Sequence, residues 1–428
     1  MLIKRLFASE LLRGSFGYLL ASIATSAVPF ILLPVLTRYL TPAEYGEVAM
    51  FSVWMSLLAA FCGLSVHGAA TRKYFDHSDD PRELSNFIFM CLVILAASTL
   101  FFSCIVIIFG AQLSDLLELD EKWLILGVAC AGAKFVTQIR LGQWQARKQV
   151  QSFVFLQSSQ ALANLLISLV LVTVFYLSAS GRIMGIATAT IAFGFVALWL
   201  LYRDNLVHPT WQPRKAREAL LFGVPLIPHL VGGFLLDTVD RVVVTNELGV
   251  SQAGIYMVAL QVSMAVTIIL EAVNRTFLPW LFERLKRDDP KEKRNVVKVT
   301  YFYFSLLAAG VAISFLWADD VLNLITGPEY AEAADIVAWV ILGKALHGGY
   351  LMVTNYLFYT KRTGVLSSIM ISTGIINVGL LVVFIEYWGL LGVAWAQALS
   401  KLLQWLITWF FANKSVPMPW LLRQRVGT

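Results

Sequence analysis

Phe222-Gly223-Val224-Pro225-Leu226-Ile227-Pro228 opens a run that continues through Asp237, Asp240 and Arg241 to Gly249, Gly254 and Tyr256, and this stretch decides the fold. The run is long and apolar enough to cross a bilayer, yet it carries two prolines and three charges. A helix in lipid must satisfy its backbone internally, so these residues predict a membrane helix that bends and borders something polar. The design occurs twice. Thr37, Leu40 and Gly46 precede Thr245, Leu248 and Gly254 by a constant 208 positions, and Pro29 and Pro34 again set two prolines in the preceding apolar run. The chain therefore reads as two halves of similar design, with Pro29, Pro34, Pro225 and Pro228 as its hinges.

Composition excludes a soluble domain. Only 14% of the 428 residues are charged and the mean hydropathy is +0.72, whereas a soluble surface needs about 25% charged residues. The net charge of +6 would suit nucleic acid, but the basic residues lie scattered in short connectors with no aromatic-interleaved patch, so no nucleic-acid partner is predicted. Cys62, Cys91, Cys104 and Cys130 sit in apolar runs without CxxC spacing or nearby histidines, which predicts core packing and neither disulfide nor zinc. No metal or cofactor is expected.

Apolar runs of spanning length number twelve: residues 15–36, 46–66, 87–109, 123–144, 153–177, 183–202, 220–248, 254–278, 299–317, 334–358, 365–385 and 390–411. The first resembles a signal peptide until its length is counted, and is read as a retained helix. The predicted fold is all-α and integral to the membrane, with twelve transmembrane helices in two six-helix lobes. Residues 1–202 form the first, 203–218 a basic connector, and 219–428 the second.

Alternate connectors test this topology. About 24 basic residues fall on one side, including Arg72, Lys73, Arg147, Lys148, Lys215 and the cluster from Arg284 to Lys298, against four on the other: Arg38, Lys122, Arg182 and Arg241. The basic side is cytoplasmic, and both termini lie there. Six spans per half, an even number, preserve orientation and require a pseudo-two-fold along the membrane normal. Deeper in the halves Ala133-Lys134 matches Gly343-Lys344, the pair Arg147-Lys148 matches Lys361-Arg362, and Asn164 matches Asn377.

Five basic residues fall within spans: Lys134, Arg140, Arg275, Lys344 and Lys401. Each would cost roughly 2.5–3.5 kcal/mol at a helix centre facing lipid, so most must meet a wet cavity, a partner or a helix end. Arg140 and Arg275 lie near helix ends, where they would either snorkel or join the cavity. Lys134 shares a helix face with Gln138, and Lys344 with His347. Gln157, Gln160, Asn164 and Ser168 make a polar stripe on the fifth span, as do Gln397, Lys401 and Gln404 on the twelfth. Such stripes line a cavity or tie packed helices together. Asp237 and Asp240 suit either ion coupling or a local salt bridge with Arg241, while Glu271 and Arg275 have the spacing of an intrahelical pair. Gly127 to Lys134 lacks the spacing and the Ser or Thr of a phosphate loop, which leaves a gradient of ions or substrate as the driving force. No catalytic set stands on a long outer loop, which argues against an enzyme and specifically against a membrane polymerase or ligase.

At Leu36-Thr37-Arg38-Tyr39-Leu40-Thr41-Pro42-Ala43-Glu44-Tyr45-Gly46, and again from Asp240-Arg241 to Gly249-Val250-Ser251-Gln252-Ala253-Gly254-Ile255-Tyr256, the chain resembles Wzx-type polysaccharide flippases. These belong to the multidrug, oligosaccharidyl-lipid and polysaccharide exporter superfamily. The resemblance implies two lobes in a V opening alternately to either side, and a cationic cavity for an undecaprenyl-diphosphate-linked oligosaccharide such as an O-antigen or exopolysaccharide unit. It also implies a bacterial inner membrane, with a polysaccharide polymerase and a chain-length regulator as further partners. Lys134, Lys344, Lys401, Arg140, His347, Gln138, Gln157, Asn164, Asn377 and Gln397 are the expected cavity residues, and Asp237 with Asp240 departs from a uniformly cationic one. A multidrug or small-solute antiporter of the same architecture is the alternative.

Overall fold

The computed structural model describes residues 10–76 and 81–420, and among them there is no strand. Lys4, Arg5, Arg423 and Arg425, on which the terminal orientation partly rests, lie outside the described residues. The helices are α1 (Glu10–Tyr39), α2 (Pro42–Phe61), α3 (Val66–Asp76), α4 (Pro81–Leu117), α5 (Glu121–Ala146), α6 (Val150–Thr173) and α7 (Ser178–Arg203). They continue as α8 (Pro213–Gly223), α9 (Ile227–Asp237), α10 (Val239–Leu248), α11 (Val250–Arg287), α12 (Pro290–Ile325), α13 (Ala333–Tyr359) and α14 (Thr363–Ser415). Ten described helical segments are long and apolar enough to cross a membrane. Much of their apolar surface is uncovered: Ile107 and Ile108 on α4 and Leu316 and Trp317 on α12 are exposed. Lipid tails satisfy such faces, since apolar side chains gain nothing by leaving them.

Two compact units share the chain. One comprises residues up to Phe234 together with Gly249–Gly254, and the other Leu235–Leu248 with the residues from Ile255 on. In the first, α3 and α4 pack with α5, α7 and α8 around Phe87, Ile88, Phe135 and Leu201. In the second, α11, α12, α13 and α14 converge on Leu281, Val353, Tyr356 and Leu357.

The two proline pairs behave differently. Pro29 and Pro34 lie inside α1 without ending it. The predicted single helix over 220–248 is instead broken into α8, a 3₁₀ turn at Val224–Leu226, α9 and α10. Pro225 and Pro228 remove two donors within four residues, which loosens the ladder enough for a tighter turn. A second break faces it: Gly63 has φ +75°, Leu64 follows at φ +48°, and a Cβ on Gly223 would stand 2.2 Å from the Leu64 carbonyl oxygen. Only glycine permits that approach. The expected spans 365–385 and 390–411 belong to one helical run, the 53-residue α14, which leaves helical geometry at Gly389. At 1.5 Å per residue α14 would be about 80 Å long, well beyond the roughly 30 Å of a hydrocarbon core.

The repeated connector motif has a direct structural meaning. Thr41 caps α2 in a reciprocal box with Glu44, its backbone N–H donating to the Glu44 carboxylate at 2.8 Å. Five residues on, Gly46 meets the start of α11. A Cβ on Gly254 would lie 1.9 Å from the Pro42 carbonyl oxygen, and one on Gly46 2.0 Å from that of Val250. The repeat-equivalent glycines thus cross backbone to backbone, which small residues make possible between membrane helices.

Charges at the basic end of the first unit are paired. Lys73 and Lys215, both buried, bridge Glu83 and Glu218: Lys73 Nζ lies 2.9 Å from Glu218 and 3.4 Å from Glu83, and Lys215 Nζ 2.6 Å from Glu83. This network ties α8 to α3 and α4. Of the four cysteines, Cys62, Cys91 and Cys130 are buried, but Cys104 is exposed, because it falls on the lipid-facing side of α4.

Candidate functional site

In the second unit the predicted polar residues come together. Asp237 ends α9 and Asp240 lies in the first turn of α10, one helical turn apart; Gln397 and Lys401 lie one turn apart on α14. The two pairs meet in register. Lys401 Nζ donates to Asp237 Oδ1 at 2.5 Å and Gln397 Nε2 to Asp240 Oδ2 at 2.6 Å. The Tyr256 hydroxyl of α11 donates to the same Asp240 oxygen at 2.6 Å, so this buried carboxylate is held from two helices. Asp237 is different: 47% of its side chain is exposed while that of Lys401 is 3% exposed. The local salt bridge among Asp237, Asp240 and Arg241 therefore does not form through Asp237, whose ion-pair partner comes from α14.

Two further basic side chains lie within electrostatic reach of Asp237, Lys344 and His347, one turn apart on α13. His347 stacks on Tyr350 with ring centroids 5.4 Å apart, and its buried Nδ1 has no hydrogen-bond partner among the described residues. Asn377 donates from Nδ2 to the Leu235 carbonyl at 3.1 Å, and its buried Oδ1 has no hydrogen-bond partner among the described residues. The group thus gathers Lys344, His347 and Lys401 around a single half-exposed carboxylate.

The first unit is sparser. Lys134 is exposed midway along α5 and has no hydrogen-bond or ion-pair partner among the described residues. Gln138, one turn on, is half-buried, as is Gln157, whose Oε1 is unpartnered. Arg140 is buried, pairs with Asp204 and lies over the Trp144 ring at 4.2 Å, so its charge is already engaged within the protein. Glu271 and Arg275 do form their intrahelical pair, at 3.4 Å on an exposed face.

A model of the family described as polysaccharide biosynthesis protein matches residues 11–285. The chain belongs to this family. Among its relatives, Lsg locus putative protein 1 of Haemophilus influenzae is 25% identical over 90% of this chain and 95% of its own length. A probable low-salt glycan biosynthesis flippase, Agl15 of Haloferax volcanii, is 18% identical over 91% of this chain and 81% of its own. Two solved structures share the fold: an inward-facing multidrug resistance transporter of the multidrug and toxin extrusion family, TM-score 0.73 at 12% identity over 94% of this chain and 96% of its own, and the lipid II flippase MurJ, TM-score 0.72 at 13% identity over 94% and 87%. At these identities the likeness is one of fold.

One residue of this family member escaped the sequence reading. Arg182, expected in an outer connector, lies buried in the first turns of α7 and donates from Nη1 to Asn164 Oδ1 and Ser168 Oγ, each at 2.6 Å. The signal was present in the Asn164–Ser168 stripe, which needed a donor. What hydropathy could not reveal was that α6 and α7 pack closely enough to supply it.

Proposed function

We propose that this protein flips an undecaprenyl-diphosphate-linked oligosaccharide from the cytoplasmic to the periplasmic leaflet of a bacterial inner membrane by alternating access. The observation that carries the reading is the excess of positive charge in the second unit. Lys344, Lys401 and Arg241 outnumber the carboxylates Asp237 and Asp240 in this group, and Asp240 is buried against Tyr256 and Gln397 while Asp237 is exposed. A cationic drug would be repelled by such a group, whereas a diphosphate needs several cationic donors. Membership of a polysaccharide biosynthesis family and a relative named as a glycan flippase support the same substrate class.

In this scheme Lys134, with Gln138, Gln157 and Asn164, belongs to the first-lobe wall of the cavity, and Lys344, Lys401, His347, Asn377 and Gln397 to the second. Arg140 contributes through its pair with Asp204 rather than as a free donor. Counting α14 as two crossings at Gly389 and adding α1 gives twelve spans, both termini cytoplasmic, in lobes 1–202 and 219–428 joined by 203–218. Pro225 and Pro228, with Pro29 and Pro34, are the positions where helices bend during transport. Asp237 and Asp240 are the carboxylates available for ion coupling, and a cation arriving at Asp237 would have to release Lys401. A polymerase and a chain-length regulator would receive the flipped unit.

Reconstituted proteoliposomes carrying a fluorescent lipid-linked oligosaccharide provide the test. Protein-dependent loss of the label from the inward leaflet is expected, with no transport of cationic dyes. Dye transport without oligosaccharide flipping would replace this reading by the antiporter.

A further inference from the structure

We propose that Asp237 is a resident anion: in the empty transporter it occupies the position on Lys401 that the substrate's diphosphate takes, and the arriving diphosphate displaces it. The inference deepens the flippase reading and rests on it. Lys401 is enclosed, and its ammonium is held by one carboxylate oxygen at 2.5 Å. The carboxylate itself is almost half exposed, so one partner is fixed in the protein while the other faces open space. A pair built only for stability would enclose both groups, since solvent weakens the attraction. An exposed partner is the one that a competing anion can replace. Lys344 and His347 lie within electrostatic reach of the same carboxylate, and a diphosphate, with more charge and more acceptor oxygens than a carboxylate, would engage them together with Lys401.

The position of Asp237 in the chain gives the exchange a mechanical consequence. It is the last residue of α9, and Thr238 separates it from α10. Asp240, one turn later, is anchored through Tyr256 and Gln397, and Leu235, two residues earlier, through Asn377. All of these contacts lie within the second compact unit. Releasing Asp237 from Lys401 frees the break between α9 and α10 of this ion pair and leaves the flanking anchors in place. Substrate binding would therefore loosen the break between α9 and α10 selectively, and only a ligand that interacts differently with the two states can shift their populations.

The competition predicts opposite effects on binding and on turnover. A site whose competent form is only a fraction of the population binds with its affinity reduced by that fraction. Removing the competitor should restore it.

The full-length protein in lipid nanodiscs, titrated with a short-chain isoprenyl diphosphate and with the corresponding alcohol as control, tests this. Asp237→Asn should bind the diphosphate about three- to tenfold more tightly than wild type, and adding Lys401→Gln should erase that gain. In flipping assays Asp237→Asn should lower the half-saturating substrate concentration and lower the maximal rate as well, because the anion that resets the site is missing. In wild type, adding the diphosphate should raise labelling of Asp237 by a water-soluble carbodiimide, a measurement that needs no variant to fold. Unchanged or weaker binding by folded Asp237→Asn, or unchanged or reduced labelling, overturns the exchange and leaves the flippase reading intact. Failure of wild type to bind the diphosphate at all overturns both.

Discussion

Lys134 and Lys344 fall at matching places in the two halves of the sequence, yet among the described residues one stands exposed without a partner on α5 while the other lies with His347 and Lys401 within electrostatic reach of Asp237. Gly46 and Gly254, equally equivalent, meet each other backbone to backbone. The contrast teaches that the repeat preserves the elements that set helix crossing and not the surroundings of its lysines. Backbone approach tolerates no side chain at either glycine, so both halves must keep it. A lysine beside open space accepts many surroundings, and the halves have diverged around it.

The proline pairs show the same divergence, since α1 continues through Pro29 and Pro34 whereas Pro225 and Pro228 interrupt the equivalent run. Spacing explains the difference. Prolines five residues apart disturb separate turns, but prolines three apart strip donors from one turn and leave it no α-helical ladder.

The largest expected effect breaks the comparison at its functional end. Lys134→Ala with Lys344→Ala should abolish flipping, measured as surface glycan at normal expression in cells lacking their own flippase; wild-type levels would remove both lysines from the cavity. Next, Gly254→Val should prevent accumulation of folded protein, because its Cβ would collide with the Pro42 carbonyl; a monodisperse variant on size-exclusion chromatography would show that the crossing is not tight. Arginine at the two lysines sharpens the asymmetry. Lys134→Arg, in open surroundings, should keep most activity, while Lys344→Arg, half-buried beside other cations, should retain about a tenth to a third. Equal retention would mean that the two sites are alike in use.

Smaller still, Arg182→Gln should lower stability by about 1–3 kcal/mol, read as thermal aggregation in detergent, because Asn164 and Ser168 lose their buried donor. The smallest effect belongs to Glu271→Ala. Its exposed pair with Arg275 should be worth about 0.3–0.5 kcal/mol or less, and a larger loss would mean that the pair serves more than helix stability.

The membrane class, most of the spanning runs and the repeated glycine connectors were legible in the amino-acid sequence, which also singled out Lys344, His347, Lys401 and Asp237 as candidates. Hydropathy sums over about twenty neighbours, and proline and glycine act on their own backbone, so these signals are local. What only the tertiary structure decided is partnership: that Asp237 takes Lys401 rather than Arg241, that Asp240 is held by Tyr256 and Gln397, and that Arg140 is engaged by Asp204 while Lys134 has no ion pair among the described residues. Asp237 and Lys401 are 164 positions apart. A charge buried in lipid must find a counter-charge, but which one it finds depends on which helices pack side by side, and that is a property of the whole bundle.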